Sequence, residues 1–329
     1  MGIDEDLAKI GYMHNACESE FSRRRRFHQG WYRAFILNLP MGLHPVKKEA
    51  NKGIRSCNTI NIEEHNNANF ITKEIVDCVE EEVRNKDKRQ NGGIIEENRL
   101  FTNLLSSQPL SFNVFGQFYK TPNELLPVIK KYVDVDRIVE IHFEYAPNYS
   151  LDCSSYDVSF ICYKANKKIL LGIECKYVDK FSTSFLKKKD LVKRKKQRKE
   201  YERVFLNSDI FKEDFNNYTN PKYVQLFRND IMAQYYKQKK IFDIVYTGVL
   251  YDSDDEIKHI INKYKSMIIN QGNSFIVIEY SSLIKDYEEL IHKSEKYSSW
   301  LNKLKERYFS LEKSEYYYKE YLKINKCLL

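Results

Sequence analysis

The segment from Tyr156 to Asp179, YDVSFICYKANKKILLGIECKYVD, constrains the fold more than any other, because it has the pattern of two core strands joined by a short turn. If the chain turns around KANK with Tyr163 opposite Lys168, the numbers of opposed residues always sum to 331. One face of the hairpin is then continuously apolar. That face comprises Val158, Phe160, Cys162, Ile169, Leu171 and Ile173. The segment therefore predicts an antiparallel hairpin inside a β-sheet.

The other face of this hairpin carries charged side chains. The same register places Asp157 opposite Glu174, and the two-residue period of a strand places Lys176 beside Glu174. Such charges are costly in a core unless they are paired or bind a metal. Opposed carboxylates are hard oxygen ligands that suit Mg²⁺ or Mn²⁺. Gly172 on this face is expected to leave room for a close approach to the backbone.

A Glu-x-Lys pattern by itself carries little information. The chain has a second copy at Glu256 and Lys258, in a DSDDE stretch that has the composition of a solvated helix start. The strand context and the opposed Asp157 distinguish the first copy. From the pattern alone two interpretations stay open, a metal-dependent nuclease site and an ordinary cross-strand ion pair.

The surrounding elements predict an α/β fold. A helix is expected over IIEENRLFTNLLSS, ended by Pro109, followed by a strand at RIVEIHFEYAP and then by the hairpin. A basic helix is expected from about Leu186 to Leu206, and a further helix is expected to be capped by Asn220 and Pro221 and to run to about Lys240. Strand, helix and strand patterns follow at IFDIVYTGVLY, DDEIKHIINKYKSMI and NSFIVIEY.

Several of these motifs together resemble a known family. YDV followed by GIECKY is similar to the PD-(D/E)XK nuclease superfamily, although Tyr156 stands where its signature has proline. LLSSQPLSFNVFG, FEYAPN, SSYDVSF, GIECKYVDKFS and QLFRN, in this order, resemble a bacterial restriction-endonuclease branch over about residues 94–244. The resemblance implies a restriction-endonuclease-like core of αβββαβ order, with a central mixed sheet flanked by helices. It also implies DNA cleavage with Mg²⁺.

The resemblance also implies roles for individual residues. Asp157 and Glu174 would be metal ligands, with the backbone carbonyl of Cys175, and Lys176 would be the catalytic lysine. Glu97 matches the acidic residue of the superfamily's first helix. Helical spacing places it on the face of Phe101 and Leu104, toward the core, whereas Glu96 points away; a helix-start acid facing the dipole is the alternative. Glu144 is a candidate for a further ligand or for a residue that orients the site.

Polar and basic residues elsewhere are candidates for substrate contacts. Gln225 and Arg228 share one side of their helix and could hold water or phosphate, with helix-surface polarity as the alternative. The basic residues proposed to bind nucleic acid are Lys187, Lys188, Lys189, Lys193, Arg194, Lys195, Lys196, Arg24 and Arg25. A solvated helix face is the alternative for the run after the hairpin.

The two ends of the chain differ from the nuclease-like middle. We expect a basic and helical N-terminal region over residues 1–90, the nuclease core over 91–280 and a helical C-terminal segment over 281–329. Apolar residues of that segment alternate spacings of four and three, which is a heptad pattern. They include Leu283, Tyr287, Leu290, Tyr297, Leu301, Leu304, Tyr308 and Leu311. A long helix packed on its own domain, a homodimer interface and a helical hairpin remain the interpretations.

Composition excludes several classes of protein. The 329 residues carry 54 basic and 46 acidic side chains, a net charge of +8 that permits a polyanionic partner without requiring one. We expect no secretory signal and no membrane helix, since AFILNLPMGL is too short to span a bilayer. The lack of a secretory signal predicts a cytoplasmic protein, and seven cysteines without CxxC pairs predict reduced, mostly buried thiols. No Gly-rich phosphate loop appears, so no nucleotide cofactor is expected.

These features together lead to one hypothesis and two alternatives. The hypothesis is a Mg²⁺-dependent endodeoxyribonuclease, with Mn²⁺ as a second suitable ion, acting in restriction or anti-phage defence. Its expected partner is DNA, and cutting of both DNA strands would favour a homodimer. The alternatives are a nuclease directed at RNA or at DNA ends, and a non-catalytic nucleic-acid-binding module with the nuclease fold.

Overall fold

The computed structural model describes residues 2–12, 18–61, 67–85, 95–146, 151, 154–185, 191–269, 274–292 and 295–324, with the side chains of 191–193 excepted. The strands are β1 (Gly42–Leu43), β2 (Arg55–Ser56), β3 (Arg137–Tyr145), β4 (Tyr156–Lys164), β5 (Lys167–Cys175), β6 (Ile244–Tyr251) and β7 (Phe275–Glu279). The first α-helices are α1 (Ile3–Ile10), α2 (Glu20–Trp31), α3 (Lys47–Ala50), α4 (Lys73–Asn85), α5 (Glu97–Thr102), α6 (Ser107–Phe115) and α7 (Leu126–Ile129). The later ones are α8 (Leu191–Leu206), α9 (Phe215–Tyr218), α10 (Val224–Gln238), α11 (Lys258–Met267), α12 (Tyr280–His292), α13 (Ser298–Tyr308) and α14 (Glu315–Ile324).

The last five strands form one mixed sheet in the order β3-β4-β5-β6-β7. The pairs β3–β4 and β4–β5 are antiparallel, whereas β5–β6 and β6–β7 are parallel and connected through helices. The β4–β5 register runs from Val158 opposite Ile173 to Lys164 opposite Lys167, so the predicted hairpin is confirmed. The predicted α/β architecture with a central mixed sheet flanked by helices is confirmed as well.

Helices cover both faces of the sheet, because each face carries its own apolar set. Val158, Phe160, Leu171 and their neighbours pack against α4, α6, α12 and α13. On the opposite face Ile161, Leu170 and residues of β6 pack against α8, α10 and α11. The sheet is therefore the middle layer of three.

Two helix boundaries differ from the prediction. The predicted helix does not run to Pro109: α5 ends at Thr102, and Pro109 lies in the first turn of α6. The first backbone N–H groups of a helix lack intrahelical partners, so proline is tolerated there. Asn220 does not cap α10 directly, because its side chain accepts a hydrogen bond from Lys222 N in a turn and α10 starts at Val224. The basic helix α8 starts at Leu191, and residues 186–190 lie outside the described ranges.

The predicted heptad helix is corrected by the structure. Its residues are divided among α12, a 3-10 turn at Glu295–Tyr297 and α13. Of the predicted seam, Leu283, Tyr287, Tyr297, Leu301, Leu304 and Tyr308 are buried in the core that covers the sheet. Ring contacts join Phe118 to Tyr287 and Tyr297, and Tyr287 donates a hydrogen bond to Val114 O. Packing on the chain's own domain is therefore what these residues do, and they do not form an exposed dimer seam.

The two ends of the chain pack on each other and on the sheet layers. Residues Phe70–Val79 and α13 belong to the same apolar core as the sheet. A smaller core joins Phe27 and Trp31 of α2 to Tyr318 and Tyr321 of α14. Cys57, Cys78, Cys162 and Cys175 are buried, as predicted for these four thiols. No helix in the described part of the chain has both the length and the apolar character needed to cross a bilayer.

Candidate active site

A polar cleft opens where β5 ends and β4 begins. Its volume is about 410 Å³. Walls come from the segment before α5, the start of α6, the end of β3, the segment after β5 and the first turns of α10. The charged residues that line it are Glu96, Arg99, Glu144, Asp157, Glu174, Lys176, Asp179, Lys180 and Arg228.

Asp157 and Glu174 both line this cleft, as their register predicts. Asp157 Oδ2 accepts a hydrogen bond from the backbone N–H of Cys175 at 2.7 Å, which ties the start of β4 to the end of β5. Burial of Asp157, together with the nearby carboxylates of Glu174 and Glu144, raises its pKa well above the usual range. The site therefore brings carboxyl groups together where burial and mutual repulsion disfavour their charged forms.

Glu174 is held by three side chains. Gln225 Nε2 donates to Glu174 Oε1 at 2.6 Å, and Asn229 Nδ2 donates to Oε2 at 3.1 Å. The Lys176 ammonium lies 2.9 Å from Oε1. Glu174 and Lys176 are only 5% and 4% exposed. The carboxylate is thus fixed in position by the end of β5 and by two successive turns of α10.

Lys176 is charged in this environment. Burial alone would lower the pKa of the ammonium, but the Glu174 and Asp157 carboxylates outweigh that effect and raise the pKa above its ordinary value. The ammonium lies 3.3 Å from Gln225 Oε1 and 5.1 Å from the centre of the Phe181 ring. The raised pKa favours the ammonium form of Lys176 at neutral pH.

Glu144 is a third carboxylate of the cleft. It accepts hydrogen bonds from Gln108 Nε2 and Ser155 Oγ, both at 2.7 Å. Its backbone has φ 49°, a left-handed conformation that is rare for a residue other than glycine, Asn or Asp and that turns the end of β3 toward the cleft. Burial, opposed by these two hydrogen bonds, and the negative charge of Glu174 raise the pKa of Glu144 to about 7.

Glu97 does not face the cleft, contrary to the prediction. Helix α5 begins at Glu97, with Glu96 as its extended N-cap residue, and it is Glu96 that lines the cleft. Glu97 is exposed in the first turn, where an acidic residue faces the positive end of the helix. The prediction assumed one continuous helix through Phe101 and Leu104. In the structure α5 is a short helix, and its N-cap residue, not its first helical residue, faces the cleft.

Gln225 and Arg228 line the cleft, as expected from their shared helix face. Gln225 Oε1 also accepts the backbone N–H of Ser182 at 2.6 Å, so this one side chain joins the segment after β5 to Glu174. Arg228 donates to Ser154 Oγ and, at 3.4 Å, to Ser184 O. Arg228 thereby holds two loops that border the cleft.

Gly172 has a close neighbour, but not the one expected. A Cβ at this position would lie 2.5 Å from Cδ1 of Tyr156. The Tyr156 hydroxyl donates to Asn229 O at 2.9 Å. The space above Gly172 is therefore filled by an aromatic ring that supports α10, so the predicted close approach to the backbone is made by the Tyr156 ring.

The lysines and the arginine predicted to bind nucleic acid after the hairpin are only partly described by the structure. Lys187, Lys188, Lys189 and the side chain of Lys193 lie outside the described part of the chain. Lys195 and Lys196 are exposed on α8 and Arg194 is half-buried; none of the three lines the cleft. Their binding of nucleic acid remains a prediction.

Arg24 and Arg25 do not form a free basic surface, which corrects the prediction for both. Arg24 donates to Ser314 Oγ at 2.8 Å and pairs with Glu315 at 3.1 Å. Arg25 pairs with Asp252, and its guanidinium lies 3.6 Å from the centre of the Phe21 ring. These arginines bind α2 to the C-terminal helices and to the loop after β6.

Sequence reasoning missed Gln108 and Asn229. Asn229 follows Gln225 by four residues, which places both on one helix face, and this spacing could have identified it. Gln108 reaches Glu144 across two elements that are 36 residues apart in the chain, so no local pattern could have indicated it.

The carboxylate oxygens in the cleft are chemically suited to bind a divalent ion. Burial, and to a smaller extent the repulsion of neighbouring carboxylates, raises the pKa values of Asp157 and Glu144, and a bound cation would offset that repulsion. Among the described residues, no three His, Cys, Asp or Glu side chains converge closely enough to form a metal-binding group. Asp157 and Glu174 line the same cleft, and their holding an ion together with the carbonyl of Cys175, water and phosphate remains a prediction. Mg²⁺ keeps several waters in this way.

Comparison with known proteins identifies the family. The family model of the PD-(D/E)XK nuclease superfamily matches residues 16–310, which is most of the chain. Neither the curated proteins nor the solved structures contain a significant match. The mixed five-stranded sheet flanked by helices agrees with the fold of this superfamily, whose members typically use divalent metal ions. The chain belongs to the PD-(D/E)XK nuclease superfamily.

Proposed function

We propose that the protein is a metal-dependent endodeoxyribonuclease that hydrolyses DNA phosphodiester bonds with Mg²⁺ or Mn²⁺. The observation that carries the proposal is the joint placement of Asp157, Glu174 and Lys176 in one polar cleft, with Glu174 held by Lys176, Gln225 and Asn229. A buried ion pair that served stability alone would not need to line an open cleft beside further carboxylates.

Each residue of the cleft has its own role in the proposed reaction. Asp157 and Glu174 hold the divalent ion, which, when bound, neutralises phosphate charge and lowers the pKa of water. Lys176, protonated at neutral pH, donates a hydrogen bond that orients the attacking water or stabilises charge on the phosphate. Gln225 positions both members of the pair, because its amide contacts Glu174 and Lys176 together.

The third carboxylate of the proposed site is Glu144 in place of Glu97. Glu144 lines the cleft and is fixed by Gln108 and Ser155, whereas Glu97 is exposed outside it. Its pKa of about 7 allows Glu144 to exchange a proton near neutral pH. Arg99 lines the cleft with a 41% exposed side chain and is placed to contact phosphate.

A role in restriction or anti-phage defence is proposed from the resemblance of five ordered motifs to a bacterial restriction-endonuclease branch. Cleavage of both strands favours a homodimer. Since the heptad residues that the structure describes are buried within the chain, such a dimer would use another surface.

Incubation of the purified chain with supercoiled circular DNA tests the proposal. With Mg²⁺ we expect nicked or linear DNA, no product with EDTA, and no product with Lys176→Ala. Parallel incubations with linear DNA and RNA of matched length separate the alternatives. Cleavage of RNA alone, or removal of nucleotides only from DNA ends, would contradict the endonuclease assignment, and the absence of any cleavage would leave only a binding role.

A further inference from the structure

A second polar groove adjoins the cleft on the side of the N-terminal region. It lies between the start of α2, the loop before α3, β2 and the segment after β5, and its volume is about 330 Å³. Asp179 and Lys180 line both the cleft and this groove, so the two spaces are adjacent at these residues. The remaining polar lining includes Ser19, Ser22, Ser56, Asn58 and Asn103.

The charges inside the groove are largely compensated, with one exception. Arg26 donates from Nε to Glu18 Oε1 at 2.8 Å and from Nη1 to Asn58 Oδ1 at 2.9 Å. Asp179 accepts the backbone N–H of Ser107 at 3.1 Å and lies 3.4 Å from Arg99. Lys180 is exposed and takes part in no ion pair with the residues that the structure describes. The uncompensated charge at the junction of cleft and groove is therefore positive.

The rim of the groove carries a basic hairpin, by which we mean residues 42–56 with β1, α3 and β2. Pro45 and Ser56 of this hairpin line the groove. Its charged residues are four basic side chains against a single acid: Lys47, Lys48, Lys52, Arg55 and Glu49. All four basic residues are exposed. The positive surplus of the rim thus continues that of Lys180.

The basic hairpin also exposes large apolar side chains. Leu43, Val46 and Ile54 are 53%, 54% and 37% exposed, and they account for three of the eight large apolar residues exposed in the described part of the chain. Exposed apolar side chains that are close in sequence to basic ones agree with an interaction surface.

We propose that the basic hairpin and the adjoining groove form a second binding site, which holds the duplex DNA that flanks the scissile phosphate. This inference rests on the proposed function, since it takes the cleft as the place of the scissile phosphate. DNA that leaves the cleft past Lys180 enters the groove, and its phosphates then meet Lys47 and Lys48. Duplex DNA carries one charge per about 1.7 Å of its axis, so each added basic contact contributes to affinity without base recognition.

The test measures binding separately from cleavage. Fluorescence anisotropy is recorded with labelled duplexes of about three helical turns and about one turn, in a background of Lys176→Met with Glu174→Gln so that the probe stays intact. The hairpin variant is Lys47→Glu with Lys48→Glu. Its matched control is Lys285→Glu with Lys303→Glu, the same change in charge at exposed lysines that line neither space.

For the long duplex we expect the hairpin variant to bind about tenfold more weakly and the control variant less than twofold more weakly. The slope of log affinity against log salt should fall by about 1.8 in the hairpin variant, since two phosphate contacts are lost. The short duplex should bind the hairpin variant and the parent protein equally. Ser22→Trp, which fills the groove, should weaken binding of the long duplex in the same way, whereas Ser22→Ala should leave this binding unchanged.

Each remaining outcome separates this inference from the proposed function. If the hairpin variant and the control variant lose equal affinity for DNA, the second site is overturned and the nuclease proposal stands. The same holds if the affinity of the parent protein does not depend on the length of the duplex. If the wild-type protein cuts no DNA, and the hairpin substitutions weaken binding of the long duplex alone, the second site is supported and the nuclease proposal is removed. If the hairpin substitutions weaken binding of duplex RNA more than binding of duplex DNA, the DNA assignment is overturned. If no probe binds, both inferences are overturned. Circular dichroism melts of every variant verify that the fold is retained.

Discussion

The Lys176 ammonium lies 2.9 Å from Glu174 Oε1, and the two side chains are 5% and 6% exposed. Two opposite charges are buried in the cleft, and within the described part of the chain the other side-chain hydrogen bonds of the Glu174 carboxylate come from α10. The mutual attraction of a buried pair offsets its desolvation only if neighbouring groups satisfy the remaining hydrogen bonds. Gln225 and Asn229 do so here, which makes the pair sensitive to the loss of either member.

Lys176→Met should destabilise the protein and abolish cleavage. The substitution leaves the Glu174 carboxylate buried without its cation, which costs about 3–5 kcal/mol. The double variant Lys176→Met with Glu174→Gln should recover most of that loss but no activity. Urea unfolding measures the first effect and DNA nicking the second; a double variant as unstable as the single one would show that the charge is not what destabilises it.

Divalent ions should stabilise the wild-type protein against heat. Binding to the folded state at a concentration one hundred times the Kd adds about 2.7 kcal/mol to the free energy of unfolding. Mg²⁺ or Mn²⁺ should therefore raise Tm in wild type and in Glu97→Gln but not in Asp157→Asn or Glu174→Gln. An equal rise in all four proteins would place the bound ion elsewhere.

Glu144→Gln and Glu97→Gln should differ sharply in activity. Glu144 lines the cleft, so its neutral variant should lower the rate of DNA nicking at least tenfold at neutral pH. Glu97 is exposed and lines no part of the cleft, so its variant should keep the rate within about twofold. The reverse ranking would restore the sequence-based assignment of Glu97.

Gly172→Ala should destabilise the fold, and Gly116→Ala is the matched control. The new Cβ at Gly172 would meet the Tyr156 ring at 2.5 Å, which overpacks the core and costs about 2 kcal/mol. At Gly116 the nearest heavy atom to a Cβ would be 3.5 Å away, which is ordinary contact. Thermal unfolding compares the two, and equal Tm values would mean that Tyr156 moves freely.

Asp230 should make stability depend on pH. This buried carboxyl, contacted by the hydroxyls of Thr247 and Tyr264, has a pKa raised by burial to about 7, against about 4 in the unfolded chain. Its contribution to stability is therefore complete below about pH 4 and is lost as the pH rises through 7. The free energy of unfolding of Asp230→Asn should rise relative to wild type by up to about 4 kcal/mol between pH 4 and pH 8. A constant difference between the two proteins, measured by urea unfolding, would contradict the raised pKa.

The β4–β5 hairpin and its charged residues could be predicted because they depend on local pattern. A strand alternates its side chains with a period of two, so a single turn position determines which residues oppose each other. This rule placed Val158 opposite Ile173 and brought Asp157, Glu174 and Lys176 to one face. The order of helices and strands followed from the same kind of periodicity.

The remaining parts of the site were decided by contacts between distant segments. Glu96 and not Glu97 faces the cleft, because the start of a short helix depends on its cap and not on an extended helical period. Gln108 meets Glu144, and Arg24 meets Glu315, only after the sheet and its two helical layers have assembled. The sequence determined the hairpin and the charges that it carries. Only tertiary packing decided which side chains surround those charges, since long-range contacts leave no period in the sequence.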